Sequence, residues 1–154
     1  MNAVADFANE GGQVLGICNG FQVLCESGLL PGALLTNAET RFICRQADLV
    51  VGDTDSPLLA DYTPGETISI PMKHQSGRFF APPDLLDRIE GSGQVAFRYA
   101  KHHNANGSIN DIAGVTNEAG NVVGLMPHPE HAVDALTGST DGLKLFRGRA
   151  RVEA

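Results

Sequence analysis

The sequence predicts an α/β fold in which a partly parallel sheet is flanked by helices. Three observations carry that prediction. The apolar run 14–17 passes straight into a helix-spaced set, Phe21, Leu24 and Cys25, stopped by Gly28. A buried strand therefore leads through a sharp turn into a helix. Stretches 111–116 and 121–126 are two further apolar runs, joined by Asn117-Glu118-Ala119-Gly120, which is a hairpin signal. Strand and helix periodicities mix along the rest of the chain with no repeat or low-complexity segment, and 154 residues make one domain with its own core.

The elements follow in order. Residues 2–10 read as a helix, with Val4, Phe7 and Ala8 on one face and Gly11-Gly12 as its end. After the helix that follows Cys18, residues 29–35 are an apolar connection broken by Pro31-Gly32. Residues 41–51 alternate and hold β-branched side chains, so one or two strands are expected. Residues 52–64 are a polar, turn-rich loop. Residues 67–70 alternate again and lead into Pro71-Met72-Lys73-His74-Gln75-Ser76-Gly77. Residues 94–99 form a strand, and 101–110 a polar loop. Residues 138–147 read as a C-terminal helix capped by Ser139 or Thr140, with Leu143, Leu145 and Phe146 facing in.

Composition excludes several classes of partner. The net charge is −7, and the one basic cluster is Arg147, Arg149 and Arg151, read as a solvated tail. That balance argues against nucleic acid. No apolar run approaches membrane-spanning length and no basic segment precedes an apolar one at the start, so no membrane is expected. Cys18, Cys25 and Cys44 are odd in number and follow no metal pattern. Reduced thiols in a cytoplasmic protein are expected, with Cys25 and Cys44 as small core residues. His102 and His103 lack a third ligand at a useful spacing, so no metal site is expected.

Two motifs carry chemistry. Gly16-Ile17-Cys18-Asn19-Gly20 fits a nucleophile elbow, where side chains at Gly16 and Gly20 would collide. Cys18 would sit at a helix N-terminus, whose partial positive charge favours the reactive thiolate. The Asn19 N–H would supply half of an oxyanion hole. Taken alone, the pattern also fits a tight turn around an inert cysteine. The second motif is Met126-Pro127-His128-Pro129-Glu130. Pro129 favours extended backbone at His128, and residues two apart on extended backbone point the same way. Glu130 can then orient His128 as a triad carboxylate does. Taken alone, this too fits a surface turn. Two such motifs, each ending an apolar run, favour a cysteine hydrolase with Cys18 as nucleophile, His128 as base and Glu130 as orienter.

Gly16-Ile17-Cys18-Asn19-Gly20-Phe21-Gln22 with His128-Pro129-Glu130 resembles the triad, or class I, glutamine amidotransferases. Stretches 28–34, 41–45, 104–108, 124–130 and 138–143 are similar to one group of these, the glutamine-hydrolysing subunits of phosphoribosylformylglycinamidine synthases. The resemblance implies a flavodoxin-like amidotransferase fold with a mixed, mostly parallel sheet flanked by helices. It implies one domain over residues 1–154 that is partial at its N-terminus. The family carries an upstream segment with the first strands and a glycine-rich oxyanion loop, and nothing in this sequence matches it. Gln22 and His74 are implied to bind glutamine. The chain keeps His74 and Gly77 but has Gln75 and Ser76 where the family has Gly and Glu. His74 equally fits a polar loop histidine, and Gln22 a solvated helix residue.

The activity implied is glutamine hydrolysis supplying ammonia for conversion of formylglycinamide ribonucleotide to formylglycinamidine ribonucleotide in purine biosynthesis. No cofactor is expected in this chain. ATP and Mg belong on the partner, a large synthetase subunit, which a small third subunit joins in many bacteria. Other readings stay open: a fragment that binds the synthetase without turnover, a related cysteine peptidase or deglycase, or an amidotransferase for another acceptor.

Overall fold

The computed structural model describes residues 1–147; Arg149 and Arg151 lie outside the described residues. In chain order the elements are α1 (Asn2–Asn9), β1 (Val14–Ile17), α2 (Asn19–Glu26), β2 (Ala33–Thr36), β3 (Ile43–Val51), β4 (Thr67–His74), β5 (Ser76–Phe80), α3 (Pro83–Gly91), β6 (Val95–Tyr99), β7 (Ile112–Thr116), β8 (Val122–Leu125) and α4 (Leu143–Phe146). Among the described residues, six strands form one sheet in the order β1-β8-β7-β6-β3-β4, and β2 pairs with β5 in a second. No helix among these residues is long and apolar enough to cross a membrane.

The sheet is mixed, as expected, but the parallel share is small. Only β1 and β8 run parallel; the β8–β7, β7–β6, β6–β3 and β3–β4 pairs are antiparallel. For β7 and β8 the reason is local. The Asn117–Gly120 turn is too short for a crossover and makes a hairpin, and parallel neighbours need a long connection. The one parallel pair fixes the site, because it brings the carboxyl ends of β1 and β8 to the same sheet edge, with Ile17 opposite Leu125.

Side chains of β8 alternate between two cores. Val123 and Leu125 join Leu49, Ile70 and Phe97 on one face. Val122 and Met126 join Phe21, Leu24 and Phe79 on the other. This is the period of two that a strand buried on both faces imposes. Gly124 points at the second face, and a Cβ there would lie 2.2 Å from the Phe21 ring. The fully buried Phe21 therefore rests on bare backbone and stacks on Phe79 at 6.1 Å. Burying a ring of this size stabilises by about 1.5–3 kcal/mol.

Several expectations change. α1 forms, but Phe7 is 52% exposed, its ring folded over Gly12, and only Ala8 is buried. The helix is tied down at its end, where Asn121 Nδ2 donates to the carbonyls of Ala8 and Gly12. Residues 29–35 do not stay a connection: the second half becomes β2, because β5 offers it a partner. β4 runs on through Pro71, which is tolerated because β4 is an edge strand. α3 went unrecognised in the sequence; it begins with Pro83 at its first position and buries Ile89. The C-terminal helix shrinks to α4. Gly142, not Ser139 or Thr140, precedes it. Gly142 lies so close to Pro129 that a Cβ would meet its carbonyl oxygen at 2.2 Å, which delays the helix start. Leu145 is buried, but Phe146 is exposed. Cys44 is exposed on β3 rather than in the core, while Cys25 is partly buried with its thiol pushed up to about 12 by burial and then by Glu26.

A prediction follows from the Phe21 contact. Gly124→Ala should lower unfolding stability by about 1–3 kcal/mol through overpacking, read as a drop in urea midpoint, whereas Gly91→Ala, where a Cβ meets nothing, should not.

Candidate active site

Cys18 stands between β1 and α2 with φ 50 and ψ −105, a left-handed conformation rare for a residue with a Cβ. Its N–H donates to Leu125 C=O at 2.9 Å, extending the parallel ladder by one residue, and its C=O accepts from Gln22 N–H at 3.2 Å, opening the helix. Both ends of the strained residue are thus held. Gly16 is required by the bend: a Cβ would lie 2.4 Å from Leu24 and 2.9 Å from the Gly20 backbone. Gly20 is different from expectation, since a Cβ there meets nothing; the helix has already turned away. Asn19 opens α2, so its N–H has no intrahelical acceptor.

His128 follows β8, and its N–H donates to Pro71 C=O at 2.7 Å. Its Nδ1 lies 2.5 Å from Glu130 Oε1. Glu130 is beside His128 as expected, by a different route. Residues Pro129–His131 form a single 3-10 turn, not extended chain, and His131 N–H donates back to His128 C=O at 3.1 Å. His128 Nε2 is buried and has no hydrogen-bond partner at contact distance. Cys18 is nevertheless the largest influence on the ring. Interaction with the Cys18 sulfur, and then with the Glu130 carboxylate, outweighs burial and raises the His128 pKa to about 9. The structure therefore brings Cys18, His128 and Glu130 together at one edge of the sheet.

The other sequence candidates lie around this edge. His74 ends β4 and is buried, not a loop residue. Asn37 Nδ2 donates to the carbonyls of Arg41 and His74, which leaves Asn37 Oδ1 to accept from His74 Nδ1 at 3.1 Å. His74 Nε2 is left buried and without a partner. Burial first, then the charge of His128, pushes the His74 pKa down to about 4. The ring packs on Gly77, where a Cβ would lie 2.5 Å from it. Gln22 does not simply face solvent: its Nε2 donates to Ser76 C=O at 2.6 Å, across to the start of β5.

The sequence reading missed three contributors. Tyr99 is fully buried, its hydroxyl accepting from Asn106 Nδ2 at 3.0 Å. Asn106 also donates to Gly77 C=O and accepts from Ser108 Oγ. Burial chiefly raises the Tyr99 pKa, with a smaller push from Cys18, so the hydroxyl is within electrostatic reach of the cysteine. The dense Asn-x-Asn-Gly-Ser composition of 104–108 was the available signal. The third is His131, whose ring lies 5.3 Å from that of His128.

Among the described residues, His128, Glu130 and His131 offer ligand atoms within 4.8 Å of one another. As a metal site the set is compromised. Lys73 Nζ lies 2.7 Å from His131 Nδ1 and, having no acceptor, must donate. The His131 proton then sits on Nε2, the nitrogen a metal would need, while His128 Nδ1 and Glu130 are engaged with each other.

A parallel strand pair that ends in a strained cysteine on one strand and a carboxylate-paired histidine on the other fits a glutamine amidotransferase domain. Residues 1–145 match the family described as the CobB/CobQ-like glutamine amidotransferase domain, and the chain belongs to that family. Its relatives are more particular. It is 56% identical over 153 residues to phosphoribosylformylglycinamidine synthase subunit PurQ of Chelativorans sp. (strain BNC1), covering 97% of this chain and 69% of the relative. It is 49% identical over 156 residues to the same-named subunit of Thermus thermophilus, covering 98% and 69%. The solved structure of PurLQS from Thermotoga maritima contains a chain with TM-score 0.83 and 46% identity, covering 94% of this chain and 63% of that one. The chain thus spans about two thirds of the length of the relatives it matches.

The two histidines titrate in opposite directions, and each gives a test. Cys18→Ala should lower the His128 titration midpoint seen by imidazole NMR, because the largest influence holding its proton is removed. His74, neutral when folded, takes up a proton on unfolding below its ordinary 6.5. Stability relative to His74→Gln should therefore be highest above pH 6.5 and fall as pH drops from 6.5 toward about 4, as read by urea titration at each pH.

Proposed function

We propose that this chain hydrolyses glutamine to glutamate and ammonia through Cys18, His128 and Glu130. The observation that supports this most is the meeting of those three side chains at the carboxyl edge of β1 and β8, in a chain of a glutamine amidotransferase family. The Cys18 thiolate attacks the side-chain amide carbon of glutamine. The carbonyl π-electrons move to oxygen, and the Asn19 N–H stabilises that oxyanion. A ring whose pKa is raised to about 9 is imidazolium at neutral pH, so His128 begins as the acid. It protonates the departing nitrogen, the C–N bond breaks, and ammonia leaves a glutamyl thioester. Neutral His128 then takes a proton from water, the resulting hydroxide attacks the thioester, and glutamate leaves as the thiolate is restored. Glu130 holds His128 in the tautomer that aims Nε2 at the reacting atoms. Gln22 and His74 line the glutamine pocket, with His74 as a neutral wall that places no second charge beside His128.

The ammonia passes to another chain. The names of the relatives and of the Thermotoga maritima assembly support a large ATP-dependent synthetase subunit as partner, joined by a small third subunit. That partner converts formylglycinamide ribonucleotide to formylglycinamidine ribonucleotide, and ATP and Mg bind there. We place the chain in the cytoplasm, consistent with Cys18, Cys25 and Cys44 all being free thiols.

Ammonia release from glutamine, with and without the cognate synthetase, tests the proposal. Cys18→Ala should abolish it, and Glu130→Gln should lower it on the order of 10²–10⁴-fold. Release that survives Cys18→Ala would overturn the mechanism. A chain that binds the synthetase but forms no glutamine-dependent thioester at Cys18 would be a binding module instead.

A further inference from the structure

We propose that His131 is a positioning residue for the reaction, steering the Glu130 oxygen that His128 also engages, with Lys73 fixing the tautomer that lets it do so. This rests on the glutaminase reading above. In a 3-10 turn, residues three apart eclipse one another, so the turn at Pro129–His131 returns the His131 ring to the side of His128. The turn is well fixed. Pro129 presets its first residue, Gly142 packs directly against the Pro129 carbonyl, and the N–H groups of His128 and His131 are both bonded.

Two neighbouring imidazoles then address Glu130 Oε1, one by a hydrogen bond and one by a longer electrostatic contact. It lies 2.5 Å from His128 Nδ1 and 3.7 Å from His131 Nε2. The two rings are 5.3 Å apart and inclined by 33°. The outer ring is anchored in turn by Lys73 of β4, 2.7 Å from His131 Nδ1. An ammonium can only donate, so His131 Nδ1 accepts and its proton sits on Nε2, facing Glu130. The charged groups in contact with His131 are Lys73 on β4 and Glu130 and His128 on its own turn. Each link sets the next: an edge-strand cation orients a ring, the ring orients a carboxylate, and the carboxylate orients the acid–base residue. His131 is 46% exposed on its side chain, so its contribution is to orientation and little to stability.

The test is a double-mutant cycle on glutamine hydrolysis by the chain with its synthetase. His131→Ala should lower kcat on the order of tenfold and leave KM within about twofold. His131→Gln, which keeps an N–H of similar reach, should recover most of that loss. In a Glu130→Gln background, His131→Ala should cost nothing further, because it acts through the carboxylate. Lys73→Met should reproduce a smaller fall that disappears once His131 is Ala, and it serves where His131→Ala fails to fold. An equal loss in both Glu130 backgrounds, a loss carried by KM, or no loss would overturn the proposal. If the wild-type chain shows no glutamine turnover at all, the glutaminase reading fails, and the relay is still readable. The His128 Nδ1–H proton in its 2.5 Å bond should give a downfield NMR resonance that broadens or shifts upfield in His131→Ala; an unchanged resonance would refute the relay.

Discussion

The site depends on one residue being kept where its backbone does not want to be. Cys18 holds a positive φ with a Cβ attached, a conformation that costs about 1–3 kcal/mol and persists only where surroundings over-determine it. Here the surroundings are explicit. A parallel neighbour takes the Cys18 N–H, a helix takes its C=O, and Gly16 removes the atom that would block the bend. The same parallel neighbour, β8, carries the chain on to His128. The strained conformation and the meeting of the two side chains thus have a single origin, the β1–β8 pair, and β7 pairs with β8 along its other side.

Electrostatics divide the two histidines of this edge. Both are partly or wholly withdrawn from water, yet one is raised to about 9 and the other lowered to about 4. The difference is in partners. His128 has a sulfur on one side and a carboxylate on the other, while His74 has an amide oxygen and a glycine. In the proposed mechanism that split leaves His128 to move protons and His74 to shape the pocket. The Tyr99, Asn106 and Ser108 network is buried and bonded to Gly77, on which the His74 ring packs, and a low local dielectric there strengthens charge interactions.

Much of this was readable from the sequence. Val14–Ile17, Gly16, Gly28 and the 112–125 hairpin were legible because each depends on residues close in sequence. Cys18, His128 and Glu130 were legible as residue types in two motifs, but the 3-10 route of Glu130 and the β1–β8 pairing that joins the motifs were not. What was not legible depends on distant partners. β2 exists because β5 lies beside it. Pro71 looked like a strand end, and only the edge position of β4 permits it inside. Phe7 had the spacing of a core residue, but Gly12 gave its ring a place outside. Extended backbone at 128–130 would point position 131 away from His128; the 3-10 turn points it back.

Pro71 carries a consequence beyond its own strand. A sheet edge is a row of donors and acceptors open to any passing strand, and proteins that leave such rows bare risk edge-to-edge association. At Pro71 the donor is missing by chemistry, and the acceptor is already occupied by His128 N–H. The outermost strand is therefore closed to recruitment at the very point where it supports the site. The missing edge donor and the anchoring of the His128 backbone meet at one imino acid. A replacement that restored an N–H there would offer a docking point for foreign backbone within a few ångströms of the machinery it disturbs.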